Sequence, residues 1–183
     1  MTDFLQDHPQ GVIIAWDEMS LYFQATTTRV WAPRGQTPVV RVSPQRDHVH
    51  FYGALNLRTG HEISLSVTEQ SSLTTAQFLN HLLRCYPHQS ILLLWDRAPW
   101  HRAADIRALL KAVPRLETVF FPPACPQLNP QEHVWAQVRA HVSHNHTFKD
   151  FSRLKAAFEQ ALSSTLFPFD WLETYAPSIL FAV

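Results

Sequence analysis

The chain has 183 residues, 46% of them apolar, with 15 basic and 15 acidic side chains and a formal net charge of zero. That length and apolar content suit one domain with a real core and exclude a disordered chain. The neutral balance counts against a free-standing nucleic-acid binder, which is usually strongly basic. Cys85 and Cys125 stand at no metal or disulfide spacing, which fits a reducing cytoplasm. The opening MTDFLQDHPQ has an early Asp and no apolar core, so it does not read as a signal peptide. No apolar run reaches the roughly 18 residues of a membrane span.

The first predicted element is the strand VIIAWDE at 12–18, an apolar run that ends on charge. SLYFQ and RVWA read as short strands inside an insertion at about 19–47. HVHFYGALN and HEISLSV follow as strands joined by the turn LRTG. SLTTAQFLNHLLRCY spaces Phe78, Leu82, Leu83 and Tyr86 as a helix does. ILLLWDR at 91–97 is a second apolar strand that stops on Asp, its continuous run suiting a central strand covered on both faces. RAADIRALLKAV predicts a helix with Ile106, Leu109, Leu110 and Val113 on one side. ETVFF is another buried strand, and NPQEHVWAQVRAHV starts as a helix with Asn129 as N-cap and Pro130 in the first turn. A last long helix, FKDFSRLKAAFEQALSSTL, opens a C-terminal tail at about 148–183. This order predicts an α/β fold, a mixed five-stranded sheet flanked by helices, with a right-handed strand–helix–strand crossover.

Chemistry in open α/β sheets collects at the carboxyl ends of strands, where Asp17 and Asp96 both fall. If their strands are neighbours the two carboxylates converge, and a hard divalent cation between them would stabilise both as anions. Glu132, in the first turn of the helix after the last buried strand, is the third candidate. Each acid also has an ordinary reading. Asp is a common turn residue, and Asn129 and Glu132 stand at capping-box spacing. The three together, in this element order, favour a site. Glu18 should point away from Asp17, because successive strand side chains face opposite ways.

The stretches IIAWDEMSLYF, RVWAPRGQTP, FYGALNLRTG, ILLLWDRAPWHRA and FFPPACPQLNPQEHVWAQVR run in order over most of residues 12–140. In them the chain resembles the catalytic domain of mariner-like DDE transposases of bacterial insertion sequences. The proline-rich loop, LNP, Glu and a Trp three residues on carry the resemblance most specifically. The spacing of 36 residues from Asp96 to Glu132 fits it as well. The resemblance implies an RNase H-like fold with Asp17, Asp96 and Glu132 as catalytic and metal-binding acids. It also implies two Mg²⁺ or Mn²⁺ ions, and cleavage and strand transfer on double-stranded DNA at transposon ends; Asp17 is expected to bridge the ions, with Asp96 and Glu132 each holding one. An active homodimer on paired ends and a TA target site are further implications. Two departures stand out: Arg97 replaces the Asn common after the second Asp, and only about ten residues precede the first strand. The usual N-terminal helix-turn-helix modules are therefore expected from an upstream DNA-binding polypeptide, a fused product or a missing region. The expected location is the bacterial cytoplasm, at the nucleoid.

Other residues carry two readings each. His101 contacts a phosphate or a metal-bound water, or it is a partly buried structural His. Arg29, Arg34, Arg41 and Arg46 make the insertion basic, for DNA contact or as an ordinary solvated loop. Trp135 steadies the helix start or stacks on DNA; Trp16 and Trp95 are expected in the core. HVSHNH is a transition-metal cluster or, more simply, a polar helix end lacking a fourth ligand. Competing functions are a truncated or domesticated relic that binds without cutting, and an RNase H-type nuclease acting on RNA–DNA hybrids.

Overall fold

The computed structural model describes residues 2–24, 27–39, 45–123, 125–168 and 170. Strands β1 (Val12–Tyr22), β2 (His48–Asn56), β3 (Glu62–Val67), β4 (Ile91–Trp95) and β5 (Leu116–Phe120) form one sheet in the order β3-β2-β1-β4-β5. β1 pairs antiparallel with β2 and parallel with β4, and β4 pairs parallel with β5. The sheet is therefore mixed and five-stranded, as the element order predicts. Helices α1 (Thr2–Asp7), α2 (Ser72–Cys85), α3 (Ala104–Ala112), α4 (Gln131–Val138) and α5 (Phe151–Ser164) cover it.

Period-2 alternation along β1 divides the core in two. Ile13, Ala15, Met19 and Leu21 face α1, α4 and α5, where Trp135, Val138, Leu154, Phe158 and Leu162 pack against them. Ile14 and Trp16 face α2 and α3, against Phe78, Leu79, Leu82 and Ile106. β4 is buried along its whole length, because both of its faces are covered. Each fully buried large side chain here contributes about 1.5–3 kcal/mol of transfer free energy. Ser71 starts α2 through a capping box with Thr74, worth about 1 kcal/mol. Trp16 and Trp95 are both 0% exposed, as expected of core residues.

The insertion differs from its predicted form. Ser20–Tyr22 is the end of β1 itself, paired with His48–His50 of β2, and not a separate strand. Residues 29–32 form no strand, and Trp31 is fully exposed; no strand among the described residues pairs with this stretch. The LRTG turn closes with Gly60 at φ 72°, a left-handed conformation that favours glycine. Helix α1 falls where no element is predicted; its Phe4 and Leu5 are buried against the α4 side of the sheet.

Candidate active site

β1 and β4 run in register up to Ala15 opposite Leu94. Two residues farther along each chain, past the last registered pair, are Asp17 and Asp96, and both line one cleft. Asp96 lies just beyond the end of β4. Asp17 lies within β1, not at its end as predicted, at the point where the parallel pairing stops. The carbonyl of Trp16, past that last pair, accepts from Asn129 Nδ2 at 3.1 Å, and Ser20 O accepts from Arg139 Nη2 at 3.2 Å. Asn129 thereby ties the loop before α4 to the backbone beside Asp17. Its Oδ1 also accepts from Gln131 N at 3.2 Å. The helix begins one residue later than predicted, at Gln131, and Glu132 turns into the cleft.

Asp17, Asp96 and Glu132 line one open cleft of about 410 Å³, together with Arg97, Asn129, Cys125 and the prolines of residues 122–126. The Asp17 carboxyl is held well above the ordinary range, first by burial, then by the negative charge of Glu132, Glu18 and Asp96. Trp135 Nε1 donates to Asp17 Oδ2 at 3.2 Å and orients that carboxyl. Trp135 is 3% exposed, so it packs and donates and has no face for a DNA base. Its ring reaches the sheet only because Gly53 is the β2 residue opposite Asp17. A Cβ at Gly53 would stand 2.2 Å from Gln131 Nε2 and 2.4 Å from Trp135 Cη2.

Glu18 points to the opposite face from Asp17, as alternation requires, and there it meets His101. His101 Nε2 lies 2.7 Å from Glu18 Oε1, and His101 Nδ1 lies 2.8 Å from Asp96 Oδ1. Trp16 Nε1 and Trp100 Nε1 also donate to Glu18 Oε1, at 2.9 and 3.4 Å. The His101 ring stacks on Trp95 at 4.5 Å and is 1% exposed. It therefore has no surface for a phosphate, and the structural reading of this histidine is the one the geometry favours. It is a positioning residue for Asp96, whose Oδ1 also accepts from Ala98 N at 2.9 Å. Glu18, Asp96 and His101 are the one group of three ligating side chains within 4.8 Å among the described residues. The ring's two nitrogens address different carboxylates, so the group is built around a proton and not around one ion.

Hydrogen bonds and charge from both acids outweigh burial and raise the His101 pKa to about 9. The folded protein binds this proton more tightly than the unfolded chain does. The stabilisation is complete below the unfolded value, about pH 6.5, and is lost as pH rises through about 9. In metal-free buffer, urea denaturation of wild type and His101→Gln should differ on the order of 2 kcal/mol at pH 6. That difference should shrink by pH 10. A gap independent of pH would rule out the buried imidazolium.

The predicted basic residues fall elsewhere. Arg29, Arg34 and Arg46 are exposed, and Arg41 lies outside the described residues. Arg97 lies in the cleft itself with its guanidinium 5.7 Å from the Phe120 ring centroid. His141 and His146 line a separate groove, and no metal group forms there among the described residues. Among the described residues no helix is long and apolar enough to cross a membrane.

Known proteins share this sequence and this fold. A 39 kDa uncharacterized protein of insertion element IS630 from Shigella sonnei is 24% identical over 141 residues, 76% of this chain and 40% of that protein. Uncharacterized protein y4pE/y4sA of Sinorhizobium fredii is 37% identical over 60 residues, 33% of this chain and 42% of that protein. The chain thus spans about two fifths of the length of these relatives. Among solved structures, a pre-cleavage Mos1 transpososome superposes with a TM-score of 0.69 at 16% identity, over 93% of this chain and 55% of that one. The catalytic domain of Mos1 mariner transposase superposes with a TM-score of 0.54 at 14% identity, over 86% and 83% of the two chains. The fold is the RNase H-like one of these transposase domains. The family model for the DDE superfamily endonucleases matches residues 12–155, most of the chain, and the protein belongs to that family.

Proposed function

We propose that this chain is the catalytic part of a transposase that cleaves DNA strands at transposon ends and joins them to a target. The observation that carries the reading is the β1–β4 register, which sets Asp17 beside Asp96 in the cleft that Glu132 also lines. The donor set fits divalent metal. Its ligands are hard carboxylate oxygens, suited to Mg²⁺ or Mn²⁺, and the Asp17 carboxyl, raised first by burial and then by the charges of Glu132, Glu18 and Asp96, is one whose anion a cation would stabilise. Asp17, Asp96 and Glu132 would hold the ions. When bound, such ions activate the attacking oxygen and stabilise the leaving one in an in-line displacement.

The protein's own groups supply the rest. His101 and Ala98 N fix the Asp96 carboxylate, and Trp135 fixes that of Asp17. The nucleophile is water for cleavage and a DNA 3′-hydroxyl for strand transfer. Arg97 and the exposed Arg29, Arg34 and Arg46, with Arg41, are the cations proposed to meet phosphates. Each is replaced singly by Gln, Arg41 excepted, and DNA binding is measured against salt concentration. The slope of log affinity on log salt should flatten by about 0.9 for every phosphate that a variant no longer neutralises. Unchanged slopes in all four variants would remove these residues from the DNA path.

The Mos1 structures include a paired-end complex with a left transposon end and a strand transfer complex, which supports transposon-end DNA as the substrate here; action as a homodimer is part of this proposal. End recognition by an upstream DNA-binding region is part of this proposal. The deciding experiment is a nicking and strand-transfer assay on duplex DNA with Mg²⁺ or Mn²⁺. Metal-dependent products from duplex DNA support the reading. Preferential cutting of RNA–DNA hybrid would move the chain to the hybrid nucleases, and binding without cutting would make it a relic.

A further inference from the structure

We propose that Glu62 is held as a neutral carboxylic acid whose Oε2–H donates to Gln131 Oε1, closing a two-bond clamp between β3 and the first turn of α4. Glu62 opens the edge strand β3 and, opposite Leu55, faces the α4 side of the sheet. Gln131 is the first residue of α4 and is 0% exposed. One bond of the clamp is direct: Gln131 Nε2 donates to Glu62 Oε1 at 2.8 Å. The other two oxygens, Glu62 Oε2 and Gln131 Oε1, are both buried, and neither has a hydrogen-bond partner among the described residues.

Two buried acceptors on side chains already joined are short of one proton. An amide has no further hydrogen to offer Oε2, whereas a carboxylic acid has one for Oε1. The ionised alternative would leave one carboxylate oxygen buried and unbonded, with no ion pair to the group among the described residues, which desolvation penalises. Burial indeed pushes the Glu62 carboxyl well above the ordinary range, against the opposing bonds from Gln131 and the Ala54 backbone. Tyr86, at the end of α2, is a titratable neighbour of Glu62, and its own pKa is raised first by burial. Gly53 presses the clamp from below, since its missing Cβ is the space the Gln131 amide fills.

The clamp matters because the next residue is Glu132. Pro130 provides no side-chain cap for α4, so the helix start is held by Asn129 and by this pair. Glu62 is therefore a positioning residue for the cleft, a role that rests on the reading of Glu132 as a ligand.

Three measurements on the full chain test this, with Glu62→Gln and Glu62→Ala. Infrared spectra at neutral pH should show protonated-carboxyl intensity in wild type that Glu62→Gln removes and Asp17→Asn, which empties the other raised carboxyl, leaves in place. The denaturation midpoint of Glu62→Gln should equal or exceed wild type, because an amide at 62 both accepts and donates as the neutral acid does; that of Glu62→Ala should fall. Mn²⁺ affinity should be kept by Glu62→Gln and weaken about tenfold in Glu62→Ala. A missing carboxyl band, or Glu62→Gln as unstable as Glu62→Ala, overturns the neutral clamp. Full Mn²⁺ affinity in Glu62→Ala overturns its positioning role. If wild type binds no Mn²⁺, the cleft reading and the positioning role fail together, while the infrared and denaturation results still decide the clamp.

Discussion

Replacing Asp17 by Asn is expected to abolish metal-dependent DNA cleavage while making the metal-free protein more stable. The first effect follows from removing one of the acids proposed to hold metal and should be on the order of 10³-fold or more in rate. The second follows from the crowding of Asp17 by Glu132, Glu18 and Asp96 in a buried setting. Its folded pKa is raised, so stability is lost as pH rises from the unfolded value upward. Asn keeps the shape and can still accept from Trp135 while removing the charge. Asp96→Asn makes the contrast: cleavage should fall as far, but stability should drop, because the His101 ion pair goes with the carboxylate. Nicking assays paired with urea titrations of both variants read the two effects. Wild-type cleavage by either variant would sink the assignment, and a loss of stability in Asp17→Asn would sink the account of its electrostatics. Trading stability for a charged site is a common pattern at catalytic centres.

Gly53→Ala is the second large effect, although Gly53 touches no substrate. Its added methyl would meet the indole of Trp135 and the amide of Gln131 far inside van der Waals distance. Neither neighbour yields easily. Trp135 is wedged between the sheet and α4 and bonded to Asp17, and Gln131 is bonded to Glu62. Overpacking of this kind costs about 1–3 kcal/mol, and a melting temperature lower on the order of 5 °C is expected. Because α4 must lift to admit the methyl, Glu132 moves with it, and cleavage should fall beyond what the lower stability explains. A Gly53→Ala variant with unchanged melting and unchanged cleavage would show that α4 adapts freely.

Much of this arrangement is legible in the chain before folding. Two apolar runs that end on Asp are strange as isolated strands and sensible as neighbours, and the parity of residues 15 and 94 carries over to 17 and 96. The direction of Glu18 follows from the same alternation. Its partner does not. The contact with His101 spans 83 positions and depends on a short helical turn, Pro99–Arg102, folding back beneath the strand ends. No periodicity announces such a turn. Ser20–Tyr22 looks detached from β1 because charge interrupts the apolar run, yet Met19 and Leu21 keep the alternation and are 5% and 3% exposed. The role of Gly53 is equally hidden: a glycine in a strand signals a close approach, without saying which ring approaches.

The wiring of the indoles has a practical consequence. Trp135 donates to Asp17, while Trp16 and Trp100 donate to Glu18, which shares His101 with Asp96. The acids proposed to receive cations are thus already coupled to fluorophores. Occupancy of the cleft would alter the electric field across Trp135 directly and across Trp16 and Trp100 through the imidazolium, whereas Trp31, fully in solvent, would emit unchanged. If the cleft takes the proposed cations, these indoles would gauge their loading by emission spectroscopy without a label, a nucleic acid or turnover.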